Sequence, residues 1–135
     1  MSSQQRLVHG FGWVLKHTLN PLTLRLARAG HGPFALVQHV GRRSGKLYET
    51  PLIVARVPGG VMAELTYGPS VDWYQNVRAA GGCTVLDHGR RYTITAIAPV
   101  AAEEGRAAFP LPARVLLRLL RRSHFVKLSG TAAPA

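Results

Sequence analysis

The sequence predicts an α+β domain that is mainly β: about six mostly antiparallel strands forming a small barrel, with an N-terminal helical segment and peripheral helices. Three observations carry this expectation. Strand-like runs are joined by hairpin signals, Pro58-Gly59-Gly60 and His88-Gly89, which make neighbouring strands antiparallel. Helical stretches do not alternate regularly with strands, so a doubly wound parallel sheet is excluded. Finally, 135 residues, 47% of them hydrophobic and 17% charged, suit a single domain over 1–135, large enough to bury a core without disulfides.

The first segment, Gln4 to Leu19, has helical spacing, with Leu7, Phe11, Val14, Leu15 and Thr18 on one face. Asn20-Pro21 reads as a helix start, a capping side chain followed by a first-turn proline. Leu22 to Ala29 continues as a short helix that Gly30 stops, so 1–30 is expected to be helical. From Phe34 the pattern turns to β. Phe34–Val40, Tyr48–Val57 and Val61–Thr66 are three candidate strands. After the loop Tyr67-Gly68-Pro69-Ser70, Asp72 is placed to cap a short helix through Ala80, ended by Gly81-Gly82. Cys83–Asp87 and Arg90–Ala98 form a second hairpin; in its latter strand Tyr92, Ile94 and Ala96 alternate with Arg91, Thr93 and Thr95. Glu103–Phe109 is weakly helical, Pro112–Arg122 strongly so, and His124–Leu128 is a last strand. Residues 131–135 are expected to be a flexible tail.

Seventeen Lys and Arg against six Asp and Glu give a formal charge of +11. That balance favours an anionic partner, whether small molecule, lipid surface or nucleic acid. The single cysteine, Cys83, excludes a disulfide framework and a thiolate metal site. Cys83 opens a strand and reads as a small buried hydrophobe. The histidines, His9, His17, His31, His39, His88 and His124, form no ligand pair, so no metal is expected. Neither signal-peptide layout nor a membrane-spanning apolar run is present in the sequence, and a cytoplasmic location is expected, with peripheral contact at the inner face of the cell membrane as an option.

Two constellations stand out. Gly41-Arg42-Arg43-Ser44-Gly45-Lys46 puts three cations, a hydroxyl and two glycines between two strands. Such a turn can aim backbone N–H groups and fixed charge at one phosphate or carboxylate. It is not a P-loop, because the spacing differs and no helix follows. A solvated hairpin with surface charge is the plain alternative. The second runs from Thr66 to Asn76, a strand end, a Gly-Pro loop and a helix start bearing Trp73 and Tyr74. Its N–H groups can receive an anion, its aromatics can wall a flat ring, and Gln75 or Asn76 can bond the ring's polar edge. Core packing is the simpler reading for Trp73, but a helix-interior Asn76 gains little from propensity. The Pro112–Arg122 helix puts Arg114, Arg118, Arg121 and Arg122 on one side and Val115, Leu116, Leu119 and Leu120 on the other, a pattern of core packing or of contact with an anionic membrane. No set of acid, base and nucleophile is evident, so a cofactor must carry the chemistry of an enzyme on this chain.

Gly41-Arg42-Arg43-Ser44-Gly45, Thr50-Pro51-Leu52 and Asp72-Trp73-Tyr74-Gln75-Asn76 together resemble the deazaflavin-dependent nitroreductase family, most closely a short branch of it. The resemblance covers Phe34 to Ala98 and the last strand. It implies a split β-barrel, coenzyme F420 in preference to FMN, and an actinobacterial oxidoreductase that passes a hydride to a quinone, enone or nitro compound. In that reading Arg42, Arg43 and Ser44 hold the phosphate and glutamyl tail. Tyr48, Thr50, Pro51, Leu52 and Ile53 line the deazaflavin, with Leu65, Thr66 and Tyr67 beside the ring. Asp72, Trp73, Tyr74, Gln75 and Asn76 close the phosphate end, and Thr66 or Tyr67 serves as the catalytic group bonding the acceptor. Tyr48 stands where nitroreductase-type members often carry a basic residue, Glu49 adds a negative charge, and 99–123 differs from their Tyr-rich C-terminal part. Some of the wider branch are lipid- or membrane-associated, and a homodimer is possible within the fold. The rival readings are a non-catalytic or weakly catalytic lipid or fatty-acid binder, and, ranked lowest, a nucleic-acid binder, which lacks any recognition motif here.

Overall fold

The computed structural model describes residues 34–134; the helices expected over 4–19 and 22–29 lie outside them. The described chain runs β1 (Ala35–Val40), β2 (Leu47–Leu52), β3 (Val54–Val57), β4 (Gly60–Glu64), α1 (Asp72–Ala80), β5 (Cys83–Asp87), β6 (Arg90–Val100), α2 (Ala102–Ala107), α3 (Ala113–Leu119) and β7 (Phe125–Pro134). All pairings are antiparallel. The strand order is β2-β1-β5-β6-β7-β4-β3. The two edge strands, β2 and β3, are therefore consecutive in sequence and separated by Ile53 alone. One residue cannot cross a flat seven-stranded sheet, since strands lie about 4.8 Å apart. The sheet must curl until its edges meet, which is a split barrel.

The single strand expected over 48–57 is thus two. Proline at position 51 withholds a ladder donor, and the break after Leu52 lets the chain turn from one edge to the other. Strand β6 also departs from simple alternation. Its register slips between Ile94 and Ala96, a β-bulge that places the extra Thr95 outside the ladder. Tyr92 and Ile94 are buried, but Ala96 is exposed and Ile97 packs on the core instead. The expected loose tail is also corrected. Thr131–Pro134 continue β7, paired with Arg90–Thr93 of β6. Gly130 permits this close approach: a Cβ there would lie 1.8 Å from the Thr93 carbonyl oxygen.

Two apolar layers result. Inside the barrel, Val37, Val61, Ala63, Val85, Tyr92, Val126 and Leu128 pack with Trp73, Tyr74 and Val77 of α1. On the outer face of β3, β4 and β7, Ala55, Met62 and Phe125 pack with Phe109, Ala113 and Leu117 under α2 and α3. Adjacent residues such as Val61 and Met62, or Phe125 and Val126, go to opposite layers, so these strands read as continuous apolar runs.

Candidate functional site

The end of β1, the turn after it, the start of β2 and the first turn of α1 enclose a cleft of about 550 Å³. It is lined by His39, Gly41, Arg42, Arg43, Ser44, Tyr48, Glu49, Thr50, Asp72, Trp73 and Asn76. The turn is closed by backbone bonds from Gly41 N–H to Lys46 O at 2.8 Å and from Gly45 N–H to Gly41 O at 2.9 Å. Gly45 sits at φ 71°, where a side chain would be strained. Ser44 Oγ accepts from the Lys46 N–H at 3.2 Å and lies 3.2 Å from the Tyr48 hydroxyl.

Helix α1 is fastened to this turn by Asn76. Its Oδ1 accepts from the Arg42 backbone N–H at 3.1 Å and from Arg42 Nη1 at 2.7 Å. The expected cap at Asp72 is not formed: Val71 is the N-cap, without a side-chain bond, and Asp72 instead accepts from Arg42 Nη2 at 3.3 Å. Gly81 ends the helix in the left-handed conformation, φ 75°, as expected of a C-terminal glycine.

The formal charges lining the cleft balance, Arg42 and Arg43 against Glu49 and Asp72. The two arginines differ in availability. Arg42 is committed to Asn76 and Asp72, whereas no carboxylate pairs with Arg43 or Lys46 among the described residues. An anion entering the cleft therefore meets Arg43, the Ser44 hydroxyl and the uncapped N–H groups that open α1.

Other residues singled out in the sequence stand elsewhere. Pro51 and Leu52 are half-buried and Ile53 is exposed, and none lines the cleft. Leu65 and Tyr74 are core residues, and Gln75 Nε2 donates to the Pro69 carbonyl at 2.7 Å. Trp73 does both things, packing in the barrel and walling the cleft. Thr66 Oγ1 donates to Glu64 at 2.7 Å, and Arg122, bonded to Glu64 at 2.6 Å, also donates to the Thr66 carbonyl. Burial raises the Tyr67 hydroxyl above its ordinary pKa, with Arg122 opposing and Glu64 adding to the rise. Neither Thr66 nor Tyr67 lines the cleft. No sequence motif marks His39, a buried residue that lines the cleft. Its place two and four residues after Val37 and Ala35, on the strand's buried face, was the available signal.

The model of the F420H(2)-dependent quinone reductase family matches residues 19–116. The chain belongs to that family. It is an F420H2-dependent reductase, and its cofactor is coenzyme F420. No curated protein matches it in sequence. Among solved structures, an F420-H2 dependent reductase, FDR-A, is 20% identical with a TM-score of 0.52, over 70% of this chain and 93% of that one. A protein described as a domain-swapped dimer is 19% identical with a TM-score of 0.56, over 89% and 99%. The conserved hypothetical protein Rv2991 from Mycobacterium tuberculosis is 11% identical with a TM-score of 0.50, over 81% of each chain. At these identities the likeness shows the split-barrel fold alone. The residues present fit an F420H2-dependent family member: the cleft joins a cation without a carboxylate partner, Arg43, and the Ser44 hydroxyl to aromatic walls, Tyr48 and Trp73, as a flat ring with an anionic tail requires.

Proposed function

We propose that this reductase holds the anionic tail of coenzyme F420 in the cleft between the 41–46 turn and the start of α1, and reduces an electrophilic acceptor such as a quinone, enone or nitro compound. The observation that supports this most is the convergence of Arg43, Ser44 and the open α1 terminus on one cleft. Arg43 and Ser44 bond the tail, Arg42 supports the turn, and Tyr48, Thr50 and Trp73 border the ring. Pro51, Leu52, Ile53 and Leu65 act on the ring's surroundings through the barrel wall that they build. Bound in its reduced form, the coenzyme supplies the hydride. Of the two acceptor-bonding candidates, Thr66 already spends its hydroxyl on Glu64, so the Tyr67 phenol, neutral at physiological pH, is the donor to the acceptor oxygen. Solvent supplies the proton. Fluorescence titration tests the reading. Wild type should bind the coenzyme saturably in the micromolar range, and Arg43→Glu should weaken it by about tenfold or more, the loss of one charge-assisted contact. The absence of saturable binding at tens of micromolar overturns it.

One observation favours a second reading, contact with an anionic lipid surface. Helix α3 and its flanks turn apolar side chains outward: Leu111, Val115, Leu116, Leu119 and Leu120 are exposed, Leu119 to 75%. Only Ala113 and Leu117 face the core. The arginines divide between tasks. Arg114 bonds the Phe109 and Ala107 carbonyls, Arg122 holds Glu64 and Arg118 lies 4.0 Å from Glu103, leaving Arg121 to flank the apolar stripe. No described helix is long and apolar enough to cross a membrane, so the contact is peripheral. Co-sedimentation with phosphatidylglycerol vesicles, lost in Leu116→Asp/Leu119→Asp and weak with phosphatidylcholine, is the expected result. Equal sedimentation of variant and wild type removes this reading.

A further inference from the structure

The Arg42 guanidinium is held by a chain of buried polar groups that begins on the opposite side of the cleft. Thr50 Oγ1 lies 2.9 Å from His39 Nε2, and His39 Nδ1 lies 3.1 Å from Asn76 Nδ2. Asn76 Oδ1 then takes two donors from Arg42. His39 and Asn76 are each only 5% exposed. The donors fix the polarity of every link. With Oδ1 occupied by two Arg42 N–H groups, the Asn76 amide has one orientation, and its Nδ2–H must donate to His39. Nδ1 is therefore unprotonated, Nε2 carries the proton, and Thr50 accepts it. A second proton on the ring would set donor against donor at Nδ1. Turning the Asn76 amide to relieve this would set its NH2 against both Arg42 donors and release the guanidinium.

We infer that His39 is a positioning residue of the anion subsite: as a neutral imidazole it fixes the Asn76 amide and, through it, the Arg42 turn that presents Arg43 and Ser44 to the cleft. This rests on the proposed seating of the coenzyme tail in the same cleft. The charged groups facing His39 are Arg42 and Arg43 from the turn, Asp72 from α1 and Glu49 from β2. Tyr48 of β2 stacks on the ring at 5.9 Å. On the β5 side, Cys83 follows the Gln38–Thr84 pair in register, with its thiol neutral because burial pushes it to about 12. Burial lowers the His39 pKa from 6.5, and Asp72 opposes this more weakly. The subsite is thus ordered at neutral pH and loosens as pH falls through the lowered pKa of His39, below 6.5.

The test compares wild type with His39→Asn, His39→Gln and His39→Leu, all as full chains. Asn places an oxygen near the position of Nδ1 and does not titrate; Gln places its amide near Nε2 instead. Coenzyme affinity of wild type should fall between pH 7.5 and 5, towards a limit of about tenfold, the weight of one charge-assisted hydrogen bond. His39→Asn should keep neutral-pH affinity within about threefold and show a flat profile, while His39→Gln weakens binding at both pH values. Parallel profiles for wild type and His39→Asn overturn the inference, as does wild-type affinity in His39→Leu; should the leucine variant not fold, the His39→Asn comparison decides alone. A second readout separates this from the seating of the coenzyme. In 15N-labelled protein without ligand, the Arg42 Nε–H and Asn76 NH2 resonances should move with the His39 titration in wild type and stay fixed in His39→Asn. That result supports the positioning role even if no coenzyme binds, and resonances indifferent to the titration overturn it even if the coenzyme does.

Discussion

Asn76 is the side chain on which the cleft depends, and its position on a helix made it visible in advance. Asparagine lowers helix propensity, so its presence mid-helix calls for a reason, which the two Arg42 donors supply. His39 gave no such warning, because a histidine on the buried face of a strand looks the same whether it packs or positions. Only the register, with His39 opposite Tyr48 and on the same face as Thr50, brings it into the site. Asn76→Leu should leave the buried His39 Nδ1 without its donor and return the Arg42 donors, on an exposed residue, to water. The expected cost is about 1–3 kcal/mol, that of one stranded buried group, read as a lower urea midpoint at unchanged slope. Cys83 makes a second expectation at this scale. Its thiol is pushed up to about 12 from 9.0 by burial, so at pH 8 it should alkylate far more slowly than in urea. The sign for stability follows: from pH 9.0 towards 12 the unfolded thiol ionises while the folded one does not, so stability falls as pH rises through that window. A Cys83→Ala variant should lose that alkaline slope; an unchanged slope would assign it to other groups.

At the scale of elements, hairpins were legible and long-range pairings were not. Pro58-Gly59-Gly60 and His88-Gly89 announced β3–β4 and β5–β6 through local turn chemistry. The pairing of β7 with β6 beyond Leu128 had no local signal, since Gly130, Thr131, Ala132, Ala133 and Pro134 are together weak strand formers. Their order comes from the exposed backbone groups of β6, which is long enough to require a partner over Arg90–Thr93. The bulge at Thr95 was hidden for a similar reason: alternation through Ala96 is a legitimate reading until β7 imposes its register. Helix α2 offers a contest between local and tertiary terms. Ala at position 105 would improve helix propensity by about 1 kcal/mol over Gly. Its Cβ, however, would fall 2.1 Å from Phe125 Cγ, and Phe125 is fully buried and packed on Phe109. Overpacking of this kind costs about 1–3 kcal/mol. Gly105→Ala should therefore destabilise despite its propensity; a raised melting temperature would show that α2 slides freely over the outer layer.

For the molecule as a whole, the sequence motifs pointed to the split barrel through resemblance, while periodicity alone reached only a small antiparallel barrel. The missing information is the strand order, which depends on non-local contacts such as β1–β5 and β4–β7. The curl that brings β2 and β3 together also needs a fastening between distant parts of the sheet. Asp87, at the end of β5, supplies one. It is buried, and its Oδ2 accepts from Arg56 Nε of the edge strand β3 at 3.0 Å. A second bond runs from Arg56 Nη2 to the Asp87 carbonyl at 3.5 Å. The two partners are not equivalent, because the carboxylate is 7% exposed and the guanidinium side chain 49%. Removing the arginine deprives a buried charge of one of its partners, whereas removing the aspartate lets a half-exposed cation return to water. Arg56→Ala should therefore cost about 1–3 kcal/mol and Asp87→Ala distinctly less after screening of the exposed partner. Replacing both with leucine should recover much of the loss. A double-mutant cycle read from urea unfolding gives the coupling directly. A coupling near zero, or a larger loss for Asp87→Ala than for Arg56→Ala, would mean that Ile53 and the apolar layers close the barrel unaided.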